Sequence, residues 1–388
     1  MNPIIRLLLF CLAMVLIHIG CTNSPDKIST GLTVYKETDS TRYFDTTAAG
    51  RSHHLFRPVK IDLYYPSTLN DTSHPLTFGE ILEMYEQRLN YDVSRDSCRK
   101  TSLNLVNAIA EYLGVTDPLK ILAFNTGIYE NLPLPDKKYP LIIYAAGMNG
   151  SSWENPLLFD SLAKAGYIVA AVSSVGKFPG YMTAAEDLDE QVRDIMYVKR
   201  KLKTLPFIDD KKIGLMSWSM GGSAITKAAM LSNDFKCLLS FDGTEIHYYG
   251  NDISWDREFD RIKLVPPFIP ERISIPYLYL SSDRPDVADS VYVLPSHITS
   301  EDNFYLKLKG AVHESFSSLI PIARNVEPSS KKIPGHHDTV ITKISIDFFD
   351  QYLKKKNGIS IRNLISTLIK TNPEFFSNGL PGKKQLQH

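Results

Sequence analysis

From Tyr139 onward the chain alternates continuous apolar runs with amphipathic segments, and this rhythm restricts its fold more than any other feature. The runs LIIYAAG, YIVAAVSS and KIGLMSWS are separated by helical patterns over Pro156–Ala165 and Ala184–Leu205. Three more strand-like runs follow, CLLSFD, PYLYLSS and FYLKLKG, and Ile341–Lys355 closes the pattern as an amphipathic helix. Strands that are apolar throughout are buried on both faces, so the pattern predicts an α/β fold with a mostly parallel central sheet and helices on both faces. Upstream, Val59–Tyr65 alternates and ends at Pro66, as an early antiparallel strand does. Leu76–Leu113 has apolar residues three and four apart, which predicts helices packed on the body of the fold and set away from the carboxyl edge of the sheet, not a lid. Lys120–Pro135 reads as an edge strand and a proline-rich turn.

The N-terminus carries one basic residue, Arg6, an apolar run Leu7–Ile17 and then Gly20-Cys21. That run is short of the roughly 20 residues a membrane span needs, and it reads as a secretory signal. The Gly-Cys ending resembles the lipobox of bacterial lipoproteins, which implies lipidation of Cys21 and a polar tether after it; ordinary secretion with cleavage nearby is the alternative. Lysine plus arginine balance aspartate plus glutamate at 43 each, so charge gives no case for a nucleic-acid partner. Beyond Cys11 and Cys21 only Cys98 and Cys237 remain, too few for a disulfide framework. Cys237 lies in the apolar run KCLLSF and reads as a small buried hydrophobe.

Chemistry concentrates at IGLMSWSMGGSAI, where a short strand runs through Ser217-Trp218-Ser219-Met220-Gly221-Gly222 into a small-residue helix. A serine hydroxyl becomes a useful nucleophile when a tight strand-to-helix turn lifts it toward a base and sets the next backbone N–H against the developing oxyanion. Ser219 is therefore the candidate nucleophile, with Ser217 in place of the first glycine of G-x-S-x-G. His313, just past the last strand in YLKLKGAVHESF, is the candidate base ahead of His297, His336 and His337. Asp242 in SFDGT or Asp283 and Asp286 in YLSSDRPD could orient it, and the residues alone leave that choice open. The oxyanion donors are expected at the N–H of Met220 and at the N–H of Met148 in the loop Ala145-Ala146-Gly147-Met148. His313-Glu314 lacks the second histidine of a zinc-binding HExxH because Ser317 stands there, and His336-His337-Asp338 reads as a polar loop, so no metal or organic cofactor is expected.

The stretch YPLIIYAAGMNGSSWENPLLFDSLAKAGYIVAAVSSVG, the elbow, SFDGTEI, KGAVHESF and FFDQYL together resemble the α/β-hydrolase group containing platelet-activating factor acetylhydrolases and dienelactone-hydrolase-like esterases. The resemblance spans approximately residues 57 to 355. It implies an acid at Asp242, with the histidine at His313 in a GxxHxxF segment. Members commonly carry His-Gly at the oxyanion loop, where this chain has Ala146-Gly147.

These readings divide the chain into a signal peptide over 1–20, a lipidated cysteine and tether over 21–50, an α/β-hydrolase domain over 51–357 with a helical insertion at 68–120, and a tail over 358–388. The expected protein is a lipid-anchored serine esterase of a bacterial cell envelope, acting on small or lipid esters with short acyl chains. A serine peptidase or acyltransferase on the same triad is the nearest alternative. A lipoprotein that keeps the fold only for binding is the more distant one. Replacement of Cys21 is the direct check on the anchor, because stable anchoring takes at least two acyl chains at about 0.8 kcal/mol per buried CH₂. Wild-type protein is expected to take up labelled palmitate and pellet with membranes, and Cys21→Ser to lose the label; unlabelled, wholly soluble wild-type protein would remove the anchor.

Overall fold

Residues 28–44, 55–69, 73–180, 182, 184–245, 253–264, 268–283, 294–355, 360–371 and 376–377 are described by a computed structural model. Among them, in chain order, are β1 (Ser29–Tyr43), β2 (Phe56–Ser67), β3 (Pro75–Thr77), β4 (Asn125–Glu130), β5 (Tyr139–Ala145), β6 (Ile168–Val172), β7 (Ile208–Trp218), β8 (Phe235–Phe241), β9 (Tyr277–Ser281), β10 (Asn303–Leu308) and β11 (Phe376–Ser377). They form one sheet in the order β11-β10-β9-β8-β7-β5-β6-β2-β1-β4-β3. Strands β6, β5, β7, β8, β9 and β10 pair in parallel, while β2 and β11 flank that block antiparallel. The continuous apolar runs are thus the sheet's centre, as the rhythm predicts.

Two hydrophobic cores lie on opposite faces because successive strand side chains alternate. Ile142 and Tyr144 of β5 point into one core with Phe159, Ile344 and Phe348 from the helices Pro156–Lys164 and Asp338–Tyr352. Leu141, Ile143 and Ala145 point into the other, with Val192 and Ile195 from Ala184–Leu202 and Ile225 and Ala228 from Gly221–Leu231.

Three parts of the chain differ from expectation. Ser29–Tyr43, placed in the tether over 21–50, is strand β1, in register with β2 from Ser29↔Ser67 to Asp39↔Arg57. Its polar composition reads as linker, yet Asp39 and Arg42 are held by ion pairs that no local pattern reveals. The tail over 358–388 contributes the helix Ile361–Thr371, which buries Ile361 and Ile365, and the short β11. The signal region and Cys21 lie outside the described residues. Cys98 and Cys237 are both buried and unbonded.

The insertion over 68–120 carries β3 and the helices Phe78–Glu83 and Arg95–Leu113. Thr77 caps the first in a reciprocal box with Glu80, and Ser94 caps the second, which ends at Gly114 in the left-handed region. The insertion is packed, with Ile81, Leu82, Val106 and Ile109 in the core. It is not remote from the carboxyl edge of the sheet. Tyr85 donates its hydroxyl to Asn149 O at 2.5 Å, and Tyr112 donates to Glu314 Oε2 at 3.1 Å, on the turns that follow β5 and β10. Periodicity marks which helix face is apolar, but not where along the sheet that face docks.

A buried charge network fastens β1 and β2 to the helix Ala184–Leu202. Arg57, 1% exposed, pairs with Asp194 at 2.5 Å and donates to the carbonyls of Val175 and Gly176. Those carbonyls begin the loop in which Met182 N donates to Asn149 Oδ1 at 2.7 Å, so the network steadies the turn after β5 from behind. Asp194 also pairs with Arg42 at 2.6 Å, so loss of Arg57 leaves that carboxylate one of its two cations and strips the carbonyls of Val175 and Gly176 of their donor. Arg57→Ala is therefore expected to lower the unfolding free energy in urea by about 1–3 kcal/mol, the cost of buried acceptors left without a donor; an unfolding free energy unchanged within error would show that the network carries no such load.

Candidate active site

The sheet order puts two turns side by side. From β5 the chain passes to β6 on one side, then crosses back to β7 on the other. Connections that leave neighbouring strands in opposite directions open a crevice at their carboxyl ends, which is where such sheets take ligands. The turn after β5 and the turn after β7 border that crevice.

The second turn holds Ser219 at φ +56°, a left-handed conformation that costs a non-glycine residue roughly 1–3 kcal/mol. Its neighbours hold it there. Ser219 N–H donates to Phe241 O at 3.0 Å, and Ser219 O accepts from Gly222 N at 3.0 Å and Thr244 N at 3.2 Å. Gly221 admits no side chain, since a Cβ there would lie 2.2 Å from Ala145 O. Ser217, the departure from the usual glycine, is fully buried with its hydroxyl 3.4 Å from Ser240 Oγ.

Asp242 ends β8 and also has a positive φ, +44°. Its Oδ2 lies 2.6 Å from His313 Nδ1, on the turn after β10, while Ser282 donates both its backbone N–H and its hydroxyl at 2.8 Å. Burial pushes the Asp242 carboxyl up, but the His313 and Ser282 hydrogen bonds outweigh it and hold the group below its ordinary range. A carboxylate there accepts from Nδ1–H, which leaves the Nε2 lone pair free to take a proton. Trp218, beside Ser219, stacks on the imidazole at 4.8 Å between centroids and donates Nε1–H to His313 O at 3.1 Å. Trp218, the residue before Ser219, thus ties the elbow to the His313 turn. Among the described residues the Ser219 hydroxyl makes no hydrogen bond, and bonds of this kind often close only around substrate.

The other candidates sit elsewhere. Asp283 Oδ2 accepts Gly310 N–H at 2.9 Å in a surface turn, and Asp286 lies outside the described residues. His297 meets Glu271 at 3.0 Å, His336 meets Arg324 at 2.9 Å, and His337 Nε2 meets Lys309 O at 2.9 Å.

Planar trans peptides point their N–H and C=O in opposite directions, so a held carbonyl aims the next amide. Gly147 O accepts Gly150 N–H at 2.9 Å, which turns Met148 N–H away from the inside of the loop. Ser219 O is held by Gly222 and Thr244, which turns Met220 N–H the other way. Among the described residues neither amide has an acceptor. A Cβ on Gly147 would lie 3.2 Å from Ser219 Cβ, so the two turns meet closely. Two free amides, a raised hydroxyl and an oriented imidazole can together carry out acyl transfer.

Sequence reasoning passed over Trp218, Ser282, Tyr85, Tyr112 and Glu154. Trp218 sits inside the elbow motif, and Glu154 is a lone acid before the apolar run NPLLF, so both left a local trace. The others reach the site only through the tertiary fold.

No family model and no curated protein sequence matches the chain. A solved structure of a ferulic acid esterase from Streptomyces cinnamoneus matches 93% of this chain and 99% of its own, with a TM-score of 0.62 at 17% identity. That likeness shows a shared α/β-hydrolase fold.

The Asp242–His313 geometry generates a sharp contrast between acids. Asp242→Asn is expected to lower kcat for ester hydrolysis toward the ~10⁴-fold loss seen when a triad aspartate is neutralised, while Asp283→Asn stays near wild type. The large loss appearing in Asp283→Asn, with circular dichroism unchanged, would reverse the assignment.

Proposed function

We propose that this protein is a serine carboxylic-ester hydrolase that works through an acyl-enzyme intermediate. The observation that carries the reading is the 2.6 Å Asp242–His313 contact, set beside an elbow whose serine is held at positive φ. In this reading Ser219 Oγ attacks the ester carbonyl carbon while its proton passes to His313 Nε2. Met148 and Met220 amides receive the negative charge that forms on the carbonyl oxygen. As the tetrahedral intermediate collapses, the C–O bond to the alcohol breaks and His313 returns its proton to the leaving oxygen. Water then gives His313 a proton and attacks the acyl carbon, which releases the acid and restores Ser219. Asp242 keeps the imidazole in its tautomer and stabilises the imidazolium.

Short acyl groups belong to this reading through the resemblance to acetylhydrolases, and Gly147 leaves the carbonyl position open where a side chain would close it. A Cβ on Gly147 would already meet Ser219 Cβ at 3.2 Å and Trp218 Cε3 at 3.5 Å. The esterase named for the similar structure supports ester hydrolysis as the reaction class. The lipid anchor at Cys21, a cell-envelope location and a membrane next to the site belong to the same proposal, and they rest on the N-terminal pattern alone.

Nitrophenyl esters of increasing chain length test the reading. Turnover is expected on acetate and butyrate and to fall on longer chains, with Ser219→Ala losing at least about 10⁴-fold in kcat. A fluorophosphonate should label Ser219 in wild type only. No turnover and no labelling would leave the protein as a binding lipoprotein of this fold.

A further inference from the structure

Glu154 is a carboxyl that the mechanism above does not use, yet it lies within the turn that presents Met148. It ends the short 3-10 turn Ser152–Glu154 and is 1% exposed. Both its oxygens accept from Gly147 N–H, at 3.2 and 3.1 Å, and Tyr144 Oη–H donates to Oε2 at 2.7 Å. Asn155 Nδ2 donates in turn to Tyr144 Oη at 3.2 Å. A Cβ on Gly150 would fall 1.6 Å from Glu154 Oε1, so the carboxyl occupies the space that this glycine leaves open. Its backbone carbonyl accepts Ser318 N–H at 2.7 Å, just past the turn that carries His313. One residue therefore grips the oxyanion turn through its side chain and the histidine segment through its main chain.

We propose that Glu154 is a positioning residue for the oxyanion hole: by holding Gly147 N–H from within the turn, it fixes the Gly147–Met148 peptide with Met148 N–H facing Ser219. The inference rests on the esterase reading. The physical reason is that Gly147 supplies no side chain of its own to anchor the turn, while hydrogen bonds on the Gly147–Met148 peptide and on the Ala146–Gly147 peptide before it limit its freedom to flip. Gly150 N–H holds the carbonyl of that peptide, and Glu154 holds the amide of the residue before it.

The charge state follows from what surrounds the group. Tyr144 on β5 faces it directly, the buried Lys60–Asp62 pair on β2 reaches the same 3-10 turn through Ser152, and Tyr85 with Arg88 stacked on its ring packs against Trp153. Among the described residues no cation pairs with Glu154, and burial pushes its carboxyl up to about 8. Below that pH the group is a neutral acid beside an oxygen that becomes negative in the reaction. Above it a buried carboxylate opposes that charge, so kcat should fall on the alkaline side.

The test measures kcat and KM for nitrophenyl acetate, together with the affinity for phenylboronic acid, in wild type, Glu154→Ala, Glu154→Gln and Tyr144→Phe. Folding is checked by circular dichroism. Glu154→Ala is expected to lose about 10²-fold in kcat with KM within about twofold, and boronate affinity should fall in step, because the tetrahedral adduct uses the same amides. Glu154→Gln, which can still accept from Gly147 N–H, should recover most of that loss and lack the wild-type fall in kcat above about pH 8. Tyr144→Phe keeps the ring in the core and should reproduce part of the kcat loss, which covers the case that Glu154→Ala does not fold. A kcat within about threefold of wild type in both Glu154→Ala and Tyr144→Phe, a kcat loss with boronate affinity unmoved, or an unchanged alkaline limb in Glu154→Gln would each overturn the proposal. A wild type that neither turns over ester nor takes up fluorophosphonate overturns the esterase reading instead.

Discussion

The tightest approach of a glycine to main-chain atoms in the site is that of Gly221 to the end of β5, and the arrangement of the other groups depends on it. The carbonyls of Ala145 and Ala146 would lie 2.2 and 2.8 Å from any Cβ at that position, so the helix after Ser219 can start only where glycine allows it. With the helix that close, the β7 turn has no room to unwind, and Ser219 stays at positive φ. The same closeness puts the Ser219–Met220 peptide opposite the Gly147–Met148 peptide across the crevice. Strain at the elbow is thus held by the sheet register, in which Ala145 of β5 stands beside Ser217 of β7.

Around this contact the protein treats its buried acids differently according to task. Asp242 receives three donors from Ser282 and His313 and is held below its ordinary range, as the proposed role beside an imidazolium requires. Glu154 and Glu245 are just as buried, and among the described residues no cation pairs with either; burial pushes their carboxyls up to about 8 and about 7. Glu245 takes Tyr277 Oη–H at 2.6 Å and fills the space beside Gly222 and Gly243. The proposed mechanism needs a negative charge beside His313, and Asp242 supplies it, whereas Glu154 sits behind the Gly147 turn where that mechanism develops negative charge.

The insertion changes how the crevice is bounded. A helix pair attached at the far edge of the sheet through β3 and β4 reaches back over the carboxyl ends, with Tyr85 on the oxyanion turn and Tyr112 beside the histidine turn. Its core residues make it a wall of the candidate site, and its two hydroxyl contacts tie that wall to the turns after β5 and β10.

Much of this was legible along the chain. Uniformly apolar runs between amphipathic helices determine a parallel sheet with helices on both faces, since only that arrangement buries such strands. The elbow glycines, Ser219, His313 after β10 and the Met148 loop are local patterns, and each stands where the fold brings it to the crevice. Asp242 against Asp283 was open at the level of residues alone, because both end strands; the structure separates them by distance, with Asp242 on His313 and Asp283 on Gly310. Polar β1 read as tether for a similar reason, its charges being buried by partners on Ala184–Leu202 far along the chain. Trp218 over His313, Glu154 inside the Gly147 turn and the insertion at the site were decided only by tertiary structure. Periodicity and motif spacing encode which face of an element is apolar and where a turn falls, whereas contacts between distant segments depend on how those elements dock.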